Sequence, residues 1–312
     1  MSRTERRDSA APPNSYFRRP SRWRVGLVAL AGTGMLAGLY FAFPPIFADT
    51  ESAAVVTEKP AGPIEFQSLP DIPLTPSVVA HRHSIKMLEE GVRGLRDLSG
   101  YTADFTKEEV VGGEATVPQT MRLKLRHEPF SIYLRWTEGK PGQELLYVEG
   151  QNDGKMIVRA SGLKGILGAI KLDVNGVMAQ KEARHPVTDM GLLQLAESVL
   201  EYRYREASWT SGYSCTEEAA RVDDRPCRLF TMIYDNRDVS PQYRKSEVWI
   251  DEEHLIITKI RNYGWSDESV EDAAIDENTV LEEYTYTNIN FDPRLASLDF
   301  SASNENYRLE RR

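Results

Sequence analysis

The chain has 312 residues, 41 % of them hydrophobic and 27 % charged, with a formal net charge of −9; this is the composition of a globular protein and excludes a chain disordered throughout. Arg3, Arg6, Arg7, Arg18, Arg19, Arg22 and Arg24 stand against only Glu5 and Asp8 in residues 1–24, so the remainder is more acidic still. An acidic body without a basic stripe argues against a nucleic-acid partner, since phosphate contacts need clustered Lys and Arg.

Residues 25–43 (VGLVALAGTGMLAGLYFAF) are nineteen residues without a charge, close to the roughly 20 that cross a bilayer as a helix. Arginines precede them and Asp49 and Glu51 follow, which places residues 1–24 in the cytoplasm and the rest outside. Two readings stand. Either the span is a retained signal anchor, giving a single-pass inner-membrane protein with a periplasmic C-terminal domain, or it is a signal peptide cut near Ile46-Phe47-Ala48, giving a secreted periplasmic one. Residues 44–76, with Pro60, Pro63, Pro70, Pro73 and Pro76, read as an extended linker. From Ser77 to Leu98 the spacing of Val78, Ile85, Leu88, Val92 and Leu95 predicts a helix with Ser77 as N-cap, weakened by Gly91 and Gly94 and stopped by Ser99-Gly100.

Residues 101–150 then read as four strands. Met121, Leu123 and Leu125, with His127 at the end of the row, share one face, while Arg122, Lys124 and Arg126 take the other. Phe130, Ile132, Leu134 and Trp136 continue the apolar face, with Ser131, Tyr133 and Arg135 opposite in water. A fifth strand follows at Lys155–Ala160. The stretch SGLKGILGAIKLDVNG lacks the Gly-Lys-Ser/Thr of a phosphate loop and reads as an apolar flap or short helix lying on the sheet, either a ligand gate or ordinary loop packing. Thr188 and Asp189 open a second, amphipathic helix through Leu192, Leu195, Ala196, Val199 and Tyr202.

Only strands follow. Cys215 and Cys227 flank TEEAARVDDRP between strands Trp209–Cys215 and Cys227–Asp235; in an exported chain they suggest a disulfide across a hairpin neck, the alternative being two buried thiols. Further strands are expected at Tyr243–Ile250, Leu255–Tyr263 and Val280–Phe291. The order of elements gives an α+β domain over residues 77–312, a strongly curved antiparallel sheet of about 10–11 strands covered by two or three helices and preceded by the transmembrane helix.

The helix followed by Tyr101, Ala103, Phe105, Thr106 and Lys107 resembles the opening of the periplasmic lipoprotein-carrier (LolA/LolB-like) superfamily. So do Pro129-Phe130 with Trp136, Asp153-Gly154-Lys155, Val248-Trp249-Ile250-Asp251 and Leu298-Asp299-Phe300. Closer still is the branch called domain of unknown function 1571, through Pro129–Tyr133, Gly142–Gly150 and Arg184-His185-Pro186-Val187-Thr188. The resemblance implies a half-open β-barrel whose apolar concave face, lidded by helices, holds acyl chains. In carriers an Arg immediately before the turn Pro meets bound lipid. Here Pro129 is preceded by Arg126, His127 and Glu128, and strand parity puts His127, not Arg126, on the apolar side.

The five histidines are scattered, and there is no H-E-x-x-H or G-x-S-x-G. Asp251-Glu252-Glu253-His254 reads as a solvated turn, and the acidic run Asp267–Glu277 lacks the spacing of a calcium loop. The expectation is a membrane-tethered, envelope-exposed binding module, not an enzyme, with no cofactor and no metal. It would take a lipid or lipidated protein against Met121, Leu123, Leu125, His127, Phe130, Ile132, Leu134 and Trp136, and work with a protein partner the residues do not identify. The alternative is an interaction or sensor domain whose concave face is filled by its own side chains; a hydrolase assembled by the fold is a third.

Overall fold

The structure, a computed structural model, describes residues 62–266 and 274–310, all within the compact unit Lys59–Arg312. The expected cytoplasmic tail, the span at 25–43, the first part of the linker and the acidic residues 267–273 lie outside the described residues. Among the described residues no helix is long and apolar enough to cross a membrane.

The two-residue periodicity of the sequence is followed by the backbone. Strand β1 (Gly100–Val111) is flanked by a two-residue partner, β2 (Glu114–Ala115), and leads into β3 (Gln119–Arg126), β4 (Ser131–Trp136), β5 (Glu144–Val148), β6 (Lys155–Arg159) and β7 (Ile170–Asp173). A second meander comprises β8 (Tyr213–Val222), β9 (Arg225–Tyr234), β10 (Lys245–Asp251), β11 (Ile257–Tyr263) and β12 (Val280–Asn290). All pairings are antiparallel, in the order β7-β6-β5-β4-β3-β1-β12-β11-β10-β9-β8. The last strand therefore docks beside the first and fuses the meanders, with Phe105 opposite both Met121 and Tyr286. The twelve strands exceed the expected number because β2 and β7 are too short to show a period.

Among the described residues four α-helical segments accompany the sheet: α1 (Pro76–Arg96), the short α2 (Val177–Gln180) and α4 (Ile275–Thr279), and α3 (Leu192–Glu206). The cap of α1 is Thr75, whose hydroxyl accepts from the Val78 amide, rather than Ser77. Pro76 is the reason: its fixed φ suits the first helical position, which moves the cap one residue back. Ser77 instead accepts a hydrogen bond from the Cys215 amide. Gly91 is a contact and not a weakness, since a Cβ there would stand 2.0 Å from the Leu255 carbonyl oxygen. The end of the expected linker lies against α1: Ile64 is buried, its carbonyl accepts from Arg96, and Phe66 sits under the Arg93 guanidinium.

Three expectations are corrected. Cys215 and Cys227 are free and buried. The segment between them is strand, not loop, and turns only at Asp223-Asp224; Cys215 pairs with Met232 while Cys227 pairs with Ala220, so the thiols sit five ladder positions apart, beyond disulfide reach. The expected wet face of β4 is covered: Tyr133 stacks on Tyr307, and Tyr133, Leu146, Val148 and Ile157 form a second core with Phe300 and Leu309 of the C-terminal segment. Finally, Asp251 in the expected solvated turn is fully buried, gripped by both Arg225 nitrogens at 2.8 and 3.0 Å and by the His254 amide at 2.7 Å.

Candidate functional site

The concave face is built by strand parity. Met121, Leu123 and Leu125 on β3 lie opposite Trp136, Leu134 and Ile132 on β4, and Leu145, Tyr147 and Met156 carry the row onto β5 and β6. All six of the named β3 and β4 residues are buried in the main core, and Phe130, just ahead of β4, packs against it half-buried. The row contains no charge. One end is closed by the Trp136 indole donating to Gln119 at 2.7 Å; the other ends at His127.

His127 lies on the concave side, its ring edge-on to Tyr101 at 6.2 Å between centroids, whereas Arg126 lies on the outer side over Phe300 at 4.8 Å. A carbonyl only accepts, so the 2.9 Å contact between His127 Nδ1 and the Leu98 oxygen places the proton on Nδ1. Burial, only partly opposed by that hydrogen bond, lowers the pKa of the ring and favours its neutral form. Its Nε2 is then a buried acceptor without a partner among the described residues.

Two lids cover the face. Helices α1 (Ile85, Leu88, Val92, Leu95) and α3 (Leu192, Ala196, Val199, Leu200) bury their apolar stripes in the same core, and the crossover of residues 174–191 adds Val174, Ala179, Val187 and Met190. The start of α3 is docked deepest. Gly191 has φ 123°, and a Cβ there would meet Leu125 at 2.7 Å, so this position demands glycine; the next amide, of Leu192, donates to the buried Tyr101 hydroxyl at 2.8 Å. This explains why the helix begins later than Thr188 and Asp189, which form a single 3₁₀ turn instead.

Polar groups hold the lids at their margins. Arg96 bonds Glu197 at 2.7 Å and the Tyr204 hydroxyl donates to Glu89 at 2.5 Å, joining α1 to α3. Arg203 and the Tyr234 hydroxyl meet Glu206, tying α3 to β9. Burial would raise the pKa of Glu206, but Arg203, His81 and Tyr234 hold it down to about 2. The crossover is held by Arg184 and His185, each 3.0 Å from Glu282 on β12. Tyr243 and Asn262 donate to the same carboxylate, both at 2.8 Å. Glu282 is likewise kept at about 2 against its burial, and it raises the His185 pKa against the desolvation of that ring. Nearby, buried Lys107 and Glu109 pair at 2.7 Å. Arg184-His185 stands out in the sequence as part of a resemblance, but nothing local marks its partner Glu282 as buried.

The fold is thus a large open antiparallel sheet with an apolar face under helical lids. The sequence profile described as protein of unknown function (DUF1571) matches residues 98–309, and the chain belongs to that family. No curated protein sequence matches. Among solved structures, the chain is distantly similar to the lipoprotein LppX of Mycobacterium tuberculosis, with 10 % identity over 68 % of this chain and 97 % of that one and a TM-score of 0.39. It is similar to a LolA superfamily protein from Nitrosomonas europaea, with 13 % identity, 70 % and 97 % coverage and a TM-score of 0.31. The MucA/MucB complex of Pseudomonas aeruginosa gives 16 % identity, 70 % and 60 % coverage and a TM-score of 0.39.

Proposed function

We propose that this domain is an envelope-exposed module, anchored by residues 25–43, that takes an acyl chain of a lipid or lipidated protein between its concave face and its lids, without catalysing a reaction. The supporting observation is the division of forces on that side. The floor from β3 to β6 is apolar, whereas polar contacts at the lid margins, which water could replace, hold the covering helices in register. An acyl chain entering the face would replace the side chains of α3, each buried methylene contributing about 0.8 kcal/mol. His127 Nε2, an acceptor without a partner among the described residues, would receive a hydroxyl or amide proton of the ligand's polar end.

A second reading, a self-filled interaction or sensor domain, is favoured by the burial of the floor: Met121, Leu123, Leu125, Ile132 and Leu134 are each at most 2 % exposed. Surface cavities of about 400 and 270 Å³ lie elsewhere. Native mass spectrometry of the gently extracted full chain separates the two. Lipid adducts that diminish in Trp136→Glu support uptake. If only apo protein is found, and Leu134→Glu and Trp136→Glu lower stability alone, the face is core and the carrier reading fails.

A further inference from the structure

Large apolar side chains rarely stand together in water without a partner, and one segment of this domain collects them. Between Gly162 and Met178, Leu163 is 84 % exposed, Leu167 82 %, Ile166 74 %, Val177 67 %, Met178 61 % and Ile170 43 %. The segment is folded into place rather than merely loose. A 3₁₀ helix, Gly162–Leu167, sits close enough to the chain before it that a Cβ at Gly165 would stand 2.4 Å from the Ala160 carbonyl oxygen, and β7 then pairs with β6 over Lys155–Asp173 to Val158–Ile170. While Leu172 packs against the main core, the residues above stay exposed. Beside them an apolar cavity of about 400 Å³ is lined by Ile157, Ala169, Ile170 and Leu309, with Lys171 among its walls.

The charge carried along this stretch of the chain opposes that of the molecule. Lys155, Arg159, Lys164, Lys171 and Lys181 fall in residues 155–181 against the single Asp173, in a chain whose net charge is −9. Apolar side chains interleaved with lysines match a surface that is anionic outside and apolar beneath. The same acidic body that would be repelled by such a surface elsewhere therefore has one face on which it can approach. The chain ahead of the described residues provides proximity. Only eighteen residues, 44–61, separate the uncharged stretch 25–43 from Gly62, a reach of at most roughly 65 Å.

We propose that residues 162–178 are a membrane-docking flap, inserting Leu163, Ile166, Leu167 and their apolar neighbours into an anionic lipid surface while Lys164, Lys171 and Lys181 contact its headgroups. The inference deepens the proposed function, on which it rests, by naming where the binding domain meets its lipid source. It differs from the sequence-based expectation for the same segment, a flap lying on the sheet.

The test uses the full chain reconstituted in vesicles, with a nitroxide on Leu167→Cys and a control label on Val117→Cys, an exposed site in the β2–β3 connection. Collision rates with oxygen and with a water-soluble nickel complex report depth. In vesicles of phosphatidylglycerol and phosphatidylcholine, the oxygen-to-nickel ratio at residue 167 rises several-fold above that at residue 117. It falls back to the control value in phosphatidylcholine alone or with Lys164→Glu and Lys171→Glu. A ratio at 167 equal to the control in every vesicle overturns the docking. So does spin–spin broadening that grows with protein density, which would identify a second copy of the chain as the occupant. Lipid adducts of the same preparations distinguish the two readings: docking lost with adducts kept sinks the flap alone, whereas adducts absent with docking kept sinks the uptake reading alone.

Discussion

Burying a carboxylate costs several kcal/mol unless hydrogen bonds and opposite charge answer it, and Glu282 is answered by Arg184, His185, Tyr243 and Asn262 together. Glu282→Gln removes the charge and leaves Arg184, mostly shielded from water, with its bond to the Val110 carbonyl but without a counter-charge; the expected loss is about 2 kcal/mol, read as a lower urea midpoint. The pH dependence has a defined sign. The pKa of Glu282 falls from 4.5 to about 2 on folding, so its contribution is present above pH 4.5 and is lost as the pH falls towards 2. The pKa of His185 is raised above 6.5, so its contribution is present below pH 6.5 and is lost as the pH rises through the folded value. Its side chain is 46 % exposed, and solvent makes this the smaller limb. The stability difference between wild type and Glu282→Gln should be largest between pH 4.5 and 6.5 and shrink both as the pH falls towards 2 and as it rises through the folded pKa of His185; a difference that stays constant beyond both limits would show that these ionisations do not hold the crossover. The thiols give a second residue-scale expectation. Burial pushes the Cys215 thiol up to about 11 and raises that of Cys227, so a thiol reagent should label neither quickly in the native protein and both in denaturant without reductant. One disulfide per chain in denaturant would refute the register of β8 and β9.

At the scale of elements, α3 is positioned by its first turn. Its N-cap is glycine and offers no side-chain acceptor, so the Leu192 amide relies on Tyr101 in the floor. Tyr101→Phe strands a buried donor and should cost about 1–2 kcal/mol, accompanied by faster exchange of amides in the first turn of α3; unchanged exchange would show that the helix is held elsewhere. Elements with a clear period were legible in the residues alone. Helix α1 follows from its helical spacing, and β3, β4 and the parity that separates His127 from Arg126 follow from alternation, since a pleat leaves no other assignment. What escaped the sequence was partnership. The run ELLYV in β5 is buried on both faces because the C-terminal segment covers the outer one, and no local feature announces a segment over 140 residues distant. The β8–β9 hairpin was hidden by its charges: as an edge strand β8 buries little, and its turn uses Asp223 and Asp224, both at positive φ, in place of the Asn-Gly that signals such turns.

For the molecule as a whole, the floor can meet a ligand only if its cover moves, and the forces on α3 indicate which part yields. It shares its apolar stripe with the floor, and beside the buried approach of His81 to Glu206 its links to α1 include a partly exposed ion pair and a hydroxyl–carboxylate bond, Arg96 with Glu197 and Tyr204 with Glu89. Contacts of this kind are worth up to about 1 kcal/mol each. Glu197→Gln combined with Tyr204→Phe leaves Arg96 its second bond, to the Ile64 carbonyl, and keeps every apolar contact of α3 in place. A combined loss of 1–2 kcal/mol multiplies the population of a lifted α3 roughly 5- to 30-fold. Hydrogen exchange should therefore accelerate along α3 and the 174–191 crossover while the amides of β3 and β4 stay protected, and lipid adducts on the full chain should increase. The contrast between helix and floor decides the matter. If α3, β3 and β4 accelerate together, the double variant has lowered global stability, the cover does not open as a unit, and the concave face is the interior of a protein that binds elsewhere.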